Sequence, residues 1–170
     1  MPLGVYDNFP AGLHHIENYE ATVSSRQLQQ KIVQHLAEIN RKELRFEEVS
    51  IPTIPGGIVI FEFGLAEEGN FNYLNKAEAE RALVYLAKEQ VRMLDFFCSI
   101  RYYKGGGDKR QALKFDYFML RFVFGKGTLE IRVFHERGPL YLSPQDLTGF
   151  IIRGINGESK KKILKEPTLP

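Results

Sequence analysis

Apolar and polar residues alternate most regularly between residues 94 and 137, in three segments at 94–103, 114–124 and 128–135. Phe, Tyr, Ile and Val crowd these segments, as is typical of half-buried strands. The breaks between the segments are rich in glycine, which turns the chain at little steric cost. The pattern therefore predicts three consecutive antiparallel strands, a β-meander.

The residues on either side of the meander show both helical and strand periodicity. Apolar positions three and four apart predict one helix beginning after Ser24 or Ser25 and a second near Asn75. Ser143 followed by Pro144 predicts the start of a third, because serine caps a helix and proline is tolerated in its first turn. The expected bounds are helices at 25–41, 75–91 and 144–157, and strands at 13–23, 44–51 and 58–63.

In chain order the predicted elements are β-α-β-β-α-β-β-β-α. The first six resemble the ferredoxin-like fold, in which an antiparallel sheet carries its helices on one face. Two further strands and a C-terminal helix would extend that core. The resemblance rests on element order alone and implies no particular activity, because this fold hosts many functions.

One α+β domain is expected over residues 1–158. Its first dozen residues, which contain two prolines and two glycines, are predicted to form an irregular arm anchored by Val5, Tyr6 and Phe9. Residues 159–170 carry four lysines and are predicted to be a basic, mobile tail.

The composition excludes some classes of protein and site. The apolar fraction of 44% and the absence of a long apolar run favour a cytoplasmic protein and no membrane partner. The single cysteine, Cys98, cannot form an intramolecular disulfide, and its position within a strand predicts a buried side chain. A net charge of +2 gives no general indication of nucleic-acid binding.

Alternation assigns the meander side chains to two faces. Even positions of 94–102 and 118–124 and odd positions of 129–133 are apolar, and they are predicted to form the helix-covered core. The opposite face, here called the Arg-aromatic face, mixes arginine with aromatic rings. Its candidate binding residues are Phe97, Arg101, Tyr103, Tyr117, Arg121, Arg132 and Phe134.

Aromatic residues and arginine are enriched at protein contacts, and two-fold dimers are the commonest oligomers. The first hypothesis is therefore a non-enzymatic interaction or assembly module that forms homo-oligomers, dimers first, or docks a protein partner through this face. If the face is free, replacing Arg121 and Arg132 by Glu should abolish association and leave folding nearly intact.

Single-stranded RNA or DNA is the alternative partner, because bases stack on aromatic rings and arginine neutralises phosphate. Against it, Asp95, Glu130 and Glu136 would share the face with the arginines. A cationic track at the ends of the face would supply phosphate contacts from Lys109, Arg110, Lys160, Lys161 and Lys162.

The third hypothesis is a small-molecule enzyme with a pocket between the meander and the last helix. Histidine lies beside a carboxylate in the groups His14, His15 and Glu17 and in the pair His135 and Glu136. Neither group has the helical spacing of a metalloprotease site. No catalytic residue, metal site or cofactor is predicted.

Overall fold

A computed structural model describes residues 3–157 and 161–167, which form an α+β structure with a nine-stranded sheet. The helices are α1 (Ser25–Ile39), α2 (Phe46–Val49), α3 (Lys76–Lys88) and α4 (Pro144–Asn156). The strands are β1 (His15–Ala21), β2 (Leu44–Arg45), β3 (Ile58–Glu67), β4 (Asn70–Tyr73), β5 (Met93–Lys104), β6 (Gln111–Ala112), β7 (Asp116–Gly125), β8 (Thr128–Arg137) and β9 (Leu164–Lys165).

All strand pairings in the sheet are antiparallel. The order is β2-β3-β5-β7-β8-β1-β9, with β4 beside β3 and β6 beside β5. The meander prediction is confirmed, since β5, β7 and β8 are neighbours. The pairing departs from the ferredoxin-like order, because β1 pairs with β8 at the far side of the meander instead of with the strands of the first half.

Side-chain caps begin the three longer helices where the sequence predicts them. The backbone N–H of Gln27 donates to Ser24 Oγ at 3.2 Å, and that of Asp146 donates to Ser143 Oγ at 3.1 Å. At α3 the Asn75 side chain accepts from the N–H of Glu78 at 2.9 Å. These bonds satisfy donors that have no partner within the first turn. Among the helices of 3–157, none is long and apolar enough to cross a membrane.

The core lies between the three longer helices and the predicted apolar face of the meander. All the predicted core positions are buried there except Phe124, which is half-buried. Cys98 is fully buried, as expected, and burial raises the pKa of its thiol. Alternation thus assigned the meander's two faces correctly.

The predicted strand at 44–51 is wrong beyond its first two residues. Only Leu44–Arg45 pairs with β3, and the chain then forms the short helix α2. Phe46 and Val49 are buried three residues apart, a spacing that fits one face of a helix and not the alternation of a strand.

The described part of the predicted tail is attached to the sheet. Leu164 is buried and pairs with Ala21 of β1. The Asn156 side chain donates to the Leu164 carbonyl at 3.0 Å and accepts from its N–H at 2.8 Å. At Leu164 the expectation of a free tail is therefore wrong, and Lys160 lies outside the described residues.

His35 of α1 packs against α4 at Gly154, where a β-carbon would collide with the imidazole ring. Its Nε2 atom is buried and has no hydrogen-bond partner. Burial lowers the pKa of His35 below its usual 6.5, Lys31 and Lys42 lower it further, and Glu38 opposes them. The folded protein therefore favours the neutral ring.

The unfolded chain takes up a proton on His35 near pH 6.5, before the folded protein does. This contribution to stability is complete above that pH and falls as the pH drops through the lower, folded pKa. We expect His35→Leu to flatten the decrease in unfolding free energy between about pH 7.5 and about pH 5.5, measured by urea titration. An unchanged slope in the variant would contradict this assignment.

Candidate functional site

The Arg-aromatic face is the side of the sheet opposite the core. The buried apolar residues of α1, α3 and α4 belong to one hydrophobic cluster with the apolar face of the strands. Phe97, Tyr117, Met119 and Phe134 lie outside that cluster and are half-buried. Within the described chain, these four side chains are thus left partly open to solvent.

Aromatic rings form a continuous row across this face. Phe97 lies 5.7 Å from Phe71 and 5.9 Å from Tyr117, measured between ring centroids. Tyr117 in turn lies 5.8 Å from Phe115, and Tyr6 lies 4.7 Å from Phe71 at the other end. These separations are in the range of favourable aromatic pairs, so the row is a rigid apolar strip.

Two members of this row, Tyr6 and Phe71, are absent from the predicted site. They come from outside the meander: Tyr6 lies in the arm, and Phe71 lies on β4, into which β3 turns after Glu67. Gly64 makes room for Phe71, because a β-carbon there would lie 3.0 Å from the Phe71 Cβ. Gly64 is the sequence feature that indicates this contact, because a glycine within an apolar strand often marks the close approach of another segment of the chain.

Each arginine predicted on this face is paired with a carboxylate. Arg101 donates to Glu62 at 2.8 Å, and Arg132 donates to Glu130. Arg121 holds Asp95 in a two-point contact, with both N–O distances 2.8 Å. Positive and negative charge are therefore balanced along the face.

The amino-terminal arm covers one corner of the face. The N–H of Tyr6 donates to Asp95 at 2.7 Å, and Arg121 donates to the Tyr6 carbonyl at 3.1 Å. The Phe9 ring lies 4.4 Å from the Arg121 guanidinium carbon. Asp95 is fully buried, and its hydrogen bonds raise the pKa of Arg121. The predicted anchors Tyr6 and Phe9 are thus confirmed. Arg121 holds the arm and the buried Asp95, so the expectation that its replacement by Glu leaves folding nearly intact is wrong.

A second group of arginines gathers at the opposite end of β5. Arg41, Arg101 and Arg110 line a pocket of about 380 Å³ together with Glu43, Ile60 and Tyr103. The Arg110 guanidinium carbon lies 4.2 Å from the Tyr103 ring centroid. The pocket brings Arg101 and Tyr103 of the face together with Arg110 of the predicted cationic track, and adds Arg41 from just after α1.

The predicted cationic track is not one surface. Lys161 and Lys162 line a groove of about 980 Å³ between β1 and α4, where Arg153, Glu17 and Asp146 also lie. Arg110 directly precedes β6, which pairs with β5, and three strand spacings separate β5 from β1. That separation is about 15 Å, so Lys109 and Arg110 do not act with the tail lysines at one phosphate.

Of the two groups that place histidine near a carboxylate in the sequence, one has a different partner in the structure. His135 contacts Asp116, not Glu136, with 3.0 Å between Nε2 and Oδ1. His15 lies 3.3 Å from Glu17, as their shared strand face predicts. No group of three or more His, Cys, Asp or Glu residues is placed to hold a metal ion within the described residues.

Asp116 is a buried polar centre that the predicted site does not include. Its carboxylate accepts from the Tyr102 hydroxyl at 2.7 Å and from the backbone N–H groups of Leu140 and Tyr141 at 2.8 and 3.0 Å. Burial and this carboxylate raise the pKa of Tyr102. The sequence does indicate this centre, because Asp116 is a charged residue at a core-facing position of an alternating strand, and aspartate is almost never fully buried without a partner. These contacts fix the loop before α4 to the sheet.

Comparison with known proteins yields no assignment: no family model, no curated protein and no solved structure matches this chain.

Proposed function

We propose that this protein is a non-enzymatic, cytoplasmic interaction module that self-associates through the Arg-aromatic face. The observation that supports the proposal is the row of half-buried rings on the side of the sheet opposite the helices. Aromatic residues and arginine are enriched at protein contacts, whereas an isolated domain gains little from leaving such a row in water.

The charges on the Arg-aromatic face are balanced, and a balanced face can bind a second copy of the chain. In a two-fold dimer the same patch contacts itself, and a patch of one charge would repel its copy. Here Arg101 is paired with Glu62, and Arg132 with Glu130. These pairs lie beside the rings, so the face resembles a contact with an apolar centre and a polar margin.

The whole sheet face, counted with the corner under the arm, approaches the area of a standard dimer contact. Strands β3, β5, β7, β8 and β1 lie side by side, and four of them have ten or more residues. At the usual spacing and rise they cover about 24 Å by 33 Å, or about 800 Å². A standard protein interface buries about that area on each partner.

Single-stranded nucleic acid is the second candidate for the same face, because a base can stack on Phe97 or Tyr117. The pairing of the arginines disfavours it. Beside the rings, a phosphate would have to displace Asp95 from Arg121 or Glu130 from Arg132, and the displaced carboxylate would remain nearby. The first candidate requires no such exchange.

Met119→Arg is expected to abolish self-association. Met119 lies on the central strand β7, opposite Phe97 on β5 and Phe134 on β8. The new arginine would bury an unpaired charge among apolar side chains of the contact, which costs several kcal/mol and weakens dimerisation more than about 100-fold. Sedimentation velocity over a range of micromolar concentrations measures the change.

Ile51→Arg is the matched control, because Ile51 is 87% exposed and lies in the turn after α2. It should sediment like the unaltered chain. A monomer for the unaltered chain at every concentration would refute self-association. Binding of an oligonucleotide at low salt, lost in Met119→Arg, would favour the nucleic-acid candidate instead.

A further inference from the structure

We propose that Arg41, Arg101 and Arg110 form a binding site for the phosphate group of a small phosphorylated molecule. The three side chains reach one pocket from separate parts of the chain. Arg41 follows α1, Arg101 lies on β5 next to β3, and Arg110 ends the glycine-rich turn before β6. The site lies at the end of the Arg-aromatic face that carries Arg101 and Tyr103, and binding of phosphate there is a function beyond self-association.

Unsatisfied hydrogen-bond donors are concentrated in this pocket. In the described part of the chain, six buried side-chain nitrogen or oxygen atoms have no hydrogen-bond partner, and three of them are Arg101 Nε, Arg110 Nε and Arg110 Nη2. Glu43 lies 2.7 Å from Arg110 Nη2 as an ion pair, but this contact does not have the alignment of a hydrogen bond. Buried donors without acceptors are costly and normally find a partner. In the structure these three atoms have almost no accessible surface, so the Arg101 and Arg110 side chains must turn for the oxygen atoms of a ligand to accept from them.

The backbone at Arg41 supports the same assignment. Arg41 has φ of 64°, one of the few non-glycine residues with a left-handed backbone, and it lies just past the C-cap of α1. Glycine is favoured at this position because its backbone adopts that conformation without strain. The Arg41 N–H donates to the Phe61 carbonyl at 2.7 Å, which fixes the residue beside β3. A strained arginine at the mouth of a cationic pocket suggests a function for its side chain.

The charge of the pocket suits phosphate better than a neutral ligand. Glu43 and Glu62 offset two of the three guanidinium charges, Glu62 by contacting both Arg101 at 2.8 Å and Arg41 at 3.8 Å. One positive charge remains for a group that carries about −1.5 to −2 near neutral pH. Guanidinium groups bind phosphate oxygens at two points each, a geometry that lysine does not provide.

The walls of the pocket leave space for an organic group. Ile60 and the ring of Tyr103 line it beside the arginines. Its volume of about 380 Å³ falls within the range of small-molecule sites. A phosphate monoester therefore fits the site better than a bare ion.

Isothermal titration calorimetry with inorganic phosphate and with glycerol phosphate, at constant ionic strength, tests the proposal. We expect saturable binding of the monoester that is tighter than binding of inorganic phosphate. Arg110→Gln should weaken both at least tenfold. Arg137→Gln, at an arginine whose side chain is 68% exposed, is the control and should leave both unchanged.

Arg41→Gly separates ligand binding from folding, since it removes one guanidinium and also relieves the left-handed backbone. It should weaken binding at least tenfold while the thermal midpoint stays equal or rises. Three results would overturn the proposal: no saturable heat with either compound, the same affinity in Arg41→Gly and Arg110→Gln as in the unaltered chain, or equally strong binding of chloride.

Discussion

Asp116→Ala is expected to lower the free energy of unfolding by about 3–5 kcal/mol, a large part of the total for a domain of this size. The carboxylate is fully buried and receives hydrogen bonds from Tyr102 and from the backbone of Leu140 and Tyr141, with His135 at 3.0 Å. Alanine would leave the buried Tyr102 hydroxyl and two backbone N–H groups of the loop without their acceptor, and each such loss is costly. Chemical denaturation at constant pH measures the change.

Asp108→Ala is the matched control because Asp108 is exposed in the turn between β5 and β6. Its effect should stay within about 0.5 kcal/mol. Asp116→Asn keeps the shape but replaces one acceptor oxygen with a donor group, so it should also destabilise the fold. A loss below about 1 kcal/mol for Asp116→Ala would show that the loop before α4 does not depend on this carboxylate.

The meander could be predicted because its evidence is local. Each strand carries its own alternation, and the glycine-containing turn at 125–127 joins two of them directly. The same alternation separates Phe96 from Phe97 and Phe118 from Tyr117, so it also predicts which rings are buried. A signal that repeats every two residues needs no knowledge of distant contacts.

The partner of β1 could not be predicted in this way. Its pairing with β8 joins residues more than one hundred positions apart, and no local pattern specifies such a contact. The ferredoxin-like resemblance rests on element order, and element order does not determine strand order. The attachment of Leu164 to β1 was missed for the same reason.

The candidate site shows the same division between local and distant evidence. The predicted binding residues share one face because they alternate with the core. Their individual roles depend on partners from elsewhere: Tyr6 of the arm at Arg121, and Arg41 from the end of α1 at the pocket of Arg101. In the sequence Arg121 and Arg132 look equivalent, and only the fold distinguishes them.

The second large effect on stability is expected when Arg121, and not Arg132, is replaced. Arg121→Leu should lower the free energy of unfolding by about 3 kcal/mol, because it leaves the fully buried carboxylate of Asp95 without its cation. It should also loosen the arm, since Arg121 donates to the Tyr6 carbonyl and lies beneath the Phe9 ring. Urea titration measures the first effect, and the rate of proteolysis before residue 11 measures the second.

Arg132→Leu is the control that the chain itself provides, with the same chemical change on the neighbouring strand β8. The Arg132 side chain is 38% exposed and its partner Glu130 is 31% exposed, so solvent screens the pair and its loss should cost at most about 1 kcal/mol. Arm cleavage should be unchanged in this variant. Equal losses in the two variants would show that the arm does not bury the Arg121–Asp95 pair, and Arg121 would then belong with Arg132 among the residues available to a partner.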